Sequence, residues 1–192
     1  SAASSAPRWR GNPSGATDQS TRIGSPHTAL AIPFPTIPSI HGTRSGVPRR
    51  SAVRKEYRYF IWNGAVLPPF LRLYRTQIKD TLDAAAMAKA AQYLVGRHDF
   101  AAFTANPNRV VESTVRTLSR LDVRRKGKEI VIIAASEGFL YKMVRSLAGF
   151  LIRVGEGAVK PETAKEILDS RVRTARVPTA PPQGLFLWEV WY

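Results

Sequence analysis

The sequence predicts an α+β domain over residues 51–192, carried behind an extended arm over residues 1–50. Three observations lead there. Strand-like alternating segments are interleaved with segments of helical period, so both kinds of element share one core. The 192 residues are enough for one ordinary domain with a core and too few for two. Composition also changes near residue 50: seven of the fourteen prolines and six arginines precede it, with no lysine and a single acid, Asp18.

Taken in order, the arm comes first. The run Ile32-Pro33-Phe34-Pro35-Thr36-Ile37-Pro38 excludes a helix, and a central strand would lose a ladder donor at each proline. The arm reads as a segment with no core of its own, disordered in isolation and ordering against RNA or a neighbouring protein. Residues 53–63 then alternate, with Tyr57, Tyr59 and Ile61 at every second position, which predicts a strand. Leu67-Pro68-Pro69-Phe70 ends it. Asp83 is placed to cap an alanine-rich helix running to residue 95 and closed by Gly96. Residues 109–124 and 128–135 read as two strands joined around Lys126-Gly127. Residues 139–154 give the clearest helix, with Phe139, Met143, Leu147 and Leu151 forming one apolar stripe and Gly155 closing it. Pro161 sits in the first turn of a short helix to residue 169, where its missing N–H costs nothing. Residues 185–192 form a terminal strand, and no internal repeat is present.

Charge narrows the function. Twenty-nine Lys and Arg against fourteen Asp and Glu give +15 at pH 7. Such an excess implies a polyanionic partner, because each neutralised phosphate releases condensed counterions. A merely solubilising surface mixes both signs. A membrane surface fits less well, since no long basic amphipathic helix stands out and no apolar run reaches a membrane span. No secretory apolar region follows the first residues. The absence of cysteine excludes disulfides and thiolate metal sites, and His27, His41 and His98 lack ligand spacing for zinc.

Four blocks then occur in a fixed order. They are Tyr57-Arg58-Tyr59-Phe60-Ile61-Trp62-Asn63, Gly96-Arg97-His98-Asp99-Phe100-Ala101-Ala102-Phe103, the run from Gly138-Phe139-Leu140-Tyr141-Lys142-Met143-Val144-Arg145 through Ser146-Leu147-Ala148-Gly149, and Thr179-Ala180-Pro181-Pro182-Gln183-Gly184-Leu185-Phe186-Leu187. Together they resemble the C-terminal half of the TruA-type tRNA pseudouridine synthases, over about residues 53–192. The resemblance implies half of a pseudouridine synthase fold: a mixed, largely antiparallel sheet packed with helices, with a basic cleft between two pseudo-symmetric halves. It also implies a homodimer and the isomerisation of uridine in tRNA with no metal or organic cofactor. In that chemistry an aspartate acts on the nucleoside, an aromatic residue stacks on the base, and an arginine pairs with the aspartate. The base is first extruded from the RNA, at roughly a few kcal/mol.

By position Tyr57 corresponds to the family's active-site tyrosine and Arg145 to its arginine. Arg58, Arg97, Lys142, Arg171 and Arg173 join them as expected RNA contacts. Tyr57 also suits a strand core and Arg145 a solvated helix face. Asp99 reads as a loop or cap acid. The family's aspartate belongs to an Arg-Thr-Asp-x-Gly-Val-His-Ala motif far upstream of the tyrosine. The nearest echo here is Ala16-Thr17-Asp18-Gln19-Ser20, so Asp18 is the candidate nucleophile, with a turn residue beside Gly15 as the alternative. Val172 also stands where the family has an acid between two arginines.

The expectation is therefore an RNA-binding protein derived from such a synthase and not itself catalytic. It would sit in a ribonucleoprotein such as an organellar ribosome, on rRNA or tRNA, with neighbouring proteins over an exposed sheet edge and no membrane. An active synthase, split over two chains or part of a longer one, is the alternative; a protein-interaction module is the third. The Arg- and Ser-rich start points to a mitochondrion or other organelle, and otherwise to the cytoplasm.

Overall fold

The computed structural model describes residues 52–105 and 111–192. The expected arm over residues 1–50 and its candidate Asp18 lie outside the described residues. The elements run β1 (Arg54–Asn63), β2 (Thr76–Ile78), α1 (Ala84–Gln92), β3 (Gly96–Asp99), β4 (Val115–Lys126), β5 (Glu129–Ser136), α2 (Met143–Gly155), α3 (Thr163–Ser170) and β6 (Leu185–Trp191). Short 3₁₀ turns occupy Pro69–Leu71, Ala101–Phe103 and Pro182–Gly184.

The strands form one mixed sheet in the order β2-β1-β5-β4-β3, with β6 also paired to β1. Only the β1–β2 pair is parallel. Along β1, residues 54–59 pair with β6 and residues 61–63 with β2, so both flank β1 on the side away from β5. The other edge of β6 is unpaired among the described residues, and Leu187 on it is 53% exposed. An open edge is the feature expected of a half-sheet.

Local chemistry explains the elements. The β4–β5 hairpin turns at Gly127, whose φ of +59° suits a residue without a side chain. Asp83 caps α1 by accepting hydrogen bonds from Ala85 N (2.9 Å) and Ala86 N (3.0 Å). Helix α2 is the central one: of its thirteen residues all but Arg145 and Arg153 are buried. It lies with α1 against one face of the sheet, on Tyr59, Ile61, Ile130, Ile132 and Leu118. Each fully buried side chain of this size, Leu147 or Phe150 for example, contributes about 1.5–3 kcal/mol. The opposite face carries arginines stacked on aromatics: Arg54 on Trp191 (4.0 Å), Arg58 on Trp188 (3.9 Å) and Arg75 on Phe60 (4.1 Å).

Several expected boundaries move. Helix α2 starts at Met143, four residues after Phe139, because Lys142 adopts φ +54° and cannot continue a helix backwards. Phe139 leaves the stripe, while Met143, Leu147 and Leu151 are core as expected. Helix α1 ends at Gln92, and Gly96 opens the unexpected strand β3. Strand β4 starts at Val115; of its expected beginning, residues 109–110 lie outside the described residues and 111–114 are not strand. No helix among the described residues is long and apolar enough to cross a membrane.

Candidate RNA-binding site

Strand β1 aims Tyr57 and Tyr59 at the helical side of the sheet. Tyr57 follows a bulge at Glu56/Tyr57 and sits between Ala134 of β5 and Leu187 of β6. It is half-buried, with Phe139 packed edge-on at 5.2 Å and 89°. Burial raises the pKa of its hydroxyl, which therefore stays protonated and able to donate at neutral pH. Tyr59 is fully buried. Its hydroxyl donates to Pro181 O (2.8 Å) and shares a 2.6 Å bond with Thr76 Oγ1. Burial pushes its pKa up to about 12 against the pull of the Thr76 bond and of the nearby Arg145 charge.

Arg145 stands in the first turn of α2, half-buried, and its Nε donates to Ala180 O at 2.7 Å. The Ala180 amide returns a bond to Arg145 O at 3.0 Å. This reciprocal pair ties α2 to the segment 173–181, which runs along the helix as a strap. A Cβ on Gly149 would stand 2.0 Å from Pro178 O, so strap and helix touch backbone to backbone. Among the described residues no carboxylate lies within ion-pair distance of Arg145 or of the exposed Lys142 one turn before it.

The other expected contacts divide. Arg58 points to the opposite face of the sheet, where its Nε donates to Glu56 (2.8 Å) and its guanidinium lies on Trp188. Arg97 is exposed on β3 opposite Thr117. Arg171, also exposed, lies 3.4 Å from Asp99 Oδ2. Asp99 ends β3 and holds the turn that follows: its Oδ1 accepts from Ala101 N (3.1 Å) and Thr114 Oγ1 (2.6 Å). Arg173, expected as an RNA contact, has its guanidinium engaged within the domain. Its Nη1 donates to Ser146 Oγ (2.9 Å) and Thr104 O (3.1 Å), and its Nη2 to Thr179 Oγ1 (2.9 Å). It is an internal clamp joining α2, the Ala101–Phe103 turn and the strap, and burial lowers its pKa. Sequence reading missed the strap, whose only local signal is a glycine inside a helical pattern.

Lys142 and Arg145 thus stand at the start of α2, with Tyr57 joined to the segment before it through Phe139, while Arg171 meets the end of β3 at Asp99 and Arg97 lies on the same strand. Among the described residues no cluster of three His, Asp or Glu side chains is placed to hold a metal ion. A family model described as tRNA pseudouridine synthase matches residues 90–192, more than half of the chain. The chain belongs to the tRNA pseudouridine synthase family. The protein named tRNA pseudouridine synthase A from Acidiphilium cryptum is 42% identical over 167 residues, covering 87% of this chain and 64% of its own length. Proteins of the same name from Geotalea uraniireducens and Chlamydia trachomatis are 43% and 44% identical, over 76% and 75% of this chain and 59% and 54% of their own. The chain therefore spans less than two thirds of these relatives. A match over 167 of the 192 residues takes in β1 and Tyr57 wherever it begins.

Proposed function

We propose that residues 52–192 form an RNA-binding domain of the tRNA pseudouridine synthase type that does not isomerise uridine on its own. The domain grips an RNA strand at the start of α2 and stacks one base on Tyr57. What supports this reading is the cationic start of α2: the exposed Lys142, whose ammonium lies 5.0 Å over the Tyr141 ring, and the half-buried Arg145, neither neutralised by a carboxylate of the described residues, with the half-exposed Tyr57 joined to the segment just before them through Phe139. Isomerisation needs a carboxylate acting on the nucleoside, which would come from residues outside 52–192 or from another chain. A ribonucleoprotein such as an organellar ribosome is a setting that the excess of twenty-nine basic over fourteen acidic residues supports.

The second reading, an active synthase with its carboxylate supplied from elsewhere, is favoured by the 42–44% identity to proteins named tRNA pseudouridine synthase A. The two separate when the full chain is mixed with tRNA carrying 5-tritiated uridine, and both binding and tritium release are followed. Binding without release is expected. Release by the chain alone would overturn the non-catalytic reading, and release only with an added aspartate-bearing half would establish a split enzyme.

Two substitutions test the contacts. Arg145→Ala is expected to lower the salt slope of RNA affinity by about one, the change for one lost phosphate contact. An unchanged slope would mean that Arg145 lies outside the interface. Tyr57→Ala is expected to cost roughly 1–3 kcal/mol of affinity through lost base stacking. Unchanged affinity in a variant with an intact circular-dichroism spectrum would remove Tyr57 from the site.

A further inference from the structure

The far end of α2 carries a second cationic feature. A hollow of about 310 Å³ lies between that end and α3, lined by Arg153, Lys160, Thr163, Glu166 and Arg176 among others. Its relation to Arg145 is set by helix geometry. Residues 145, 149 and 153 are four apart and form one stripe along α2. The strap follows that stripe, with Ala180 bonded to Arg145, Pro178 against Gly149, and Ala175 and Arg176 at the hollow beside Arg153. Arg145 and Arg153, the two residues of α2 that escape burial, stand about 12 Å apart along the axis at 1.5 Å per residue.

Three cations line the hollow against one carboxylate, Glu166. Glu166 lies 3.5 Å from Arg176 with both side chains largely exposed, which makes a weak pair. Arg153 leans on Glu156 at 3.0 Å. Lys160 meets no carboxylate within ion-pair distance among the described residues. Thr163, only 9% exposed, also lines the cavity. The first amides of α3 already bond the carbonyls of Lys160, Pro161 and Glu162, so attraction for an anion comes from the side chains and not from the helix end.

We propose that this hollow seats a phosphate of the RNA backbone, on the same strand as the phosphate that meets Arg145. The proposal rests on the RNA-binding reading above. A separation of about 12 Å corresponds to a few nucleotides along one strand. One seated phosphate fixes the expected size of the effect. The double variant Lys160→Gln/Arg176→Gln should lower the salt slope by about one and not two, because the slope counts phosphates and not cations.

The test is fluorescence anisotropy of the full chain with a labelled tRNA, over roughly 50 to 200 mM salt. A slope reduced by about one in the double variant, and reduced further when Arg145→Ala is added, supports the seat. An unchanged slope in the double variant, with the Arg145→Ala effect intact, overturns the seat and leaves the RNA-binding reading standing. If the unaltered chain binds no RNA, the RNA-binding reading fails and the seat with it. Inorganic phosphate is titrated alongside. Binding of it that the double variant abolishes, with no change in the RNA slope, would assign the hollow to a free anion and overturn the proposal.

Discussion

Gly149→Ala is expected to unseat the strap and destabilise the domain by about 3 kcal/mol, lowering the melting temperature by roughly 6–12 °C for a chain of this size. The new Cβ would lie 2.0 Å from Pro178 O, 2.9 Å from Pro178 C and 3.2 Å from Ala180 N. All three are backbone atoms, so no side chain can rotate out of the way. Overpacking ordinarily costs about 1–3 kcal/mol because neighbours yield part of the distance; here the strap itself must lift. Lifting it breaks the reciprocal Arg145–Ala180 bonds and uncovers the stripe beneath. Helix propensity works the other way, since alanine is favoured over glycine by about 1 kcal/mol in a helix interior. A net loss of stability in thermal or denaturant unfolding therefore isolates the clash. A raised or unchanged midpoint would show that strap and helix are not in contact at this point.

Elements with a strong local pattern were legible in the sequence. Strand β1 carries an aromatic alternation, β5 and β6 are short runs dense in apolar residues, Asp83 announces its cap, and Met143, Leu147 and Leu151 mark the buried side of α2. Strands β2 and β3 were not legible. Three and four residues hold no period, and they are strands only because β1 and β4 offer them a ladder. The start of α2 was misjudged because Phe139 keeps the helical spacing, whereas the break lies in the left-handed backbone of Lys142, which lysine does not announce. The site divides the same way. Residue type and family resemblance point to Tyr57 and Arg145. No local pattern shows that Phe139 braces the one, that Ala180 holds the other, or that the two sheet faces separate Tyr57 from Arg58.

Arg173 is held by three hydrogen bonds within the domain, and its removal should be felt in folding before it is felt in RNA affinity. Arg173→Ala is expected to cost about 3 kcal/mol of stability. The guanidinium holds Thr104 O, Ser146 Oγ and Thr179 Oγ1 at 2.9–3.1 Å, joining three segments that no continuous element connects. Hydrogen bonds from a charged donor are worth roughly 1.5–3 kcal/mol each, and these share one side chain, so they do not add in full. Ser146 is 0% exposed with Arg173 in place, so removing the arginine takes away both a donor and part of its cover. Arg173→Lys should recover only part of the loss, because an ammonium is a point charge without the planar fork that reaches three acceptors. A direct phosphate contact would behave in the opposite way: the alanine variant would keep its unfolding midpoint and lose about one from its salt slope. Measuring unfolding and salt dependence on the same variants separates the two roles. The clamp also predicts coupling. Thr179 precedes the residue that accepts from Arg145 Nε, so losing Arg173 loosens the support of Arg145. Arg173→Ala and Arg145→Ala should then be less than additive in RNA affinity, since the first already spoils part of what the second removes.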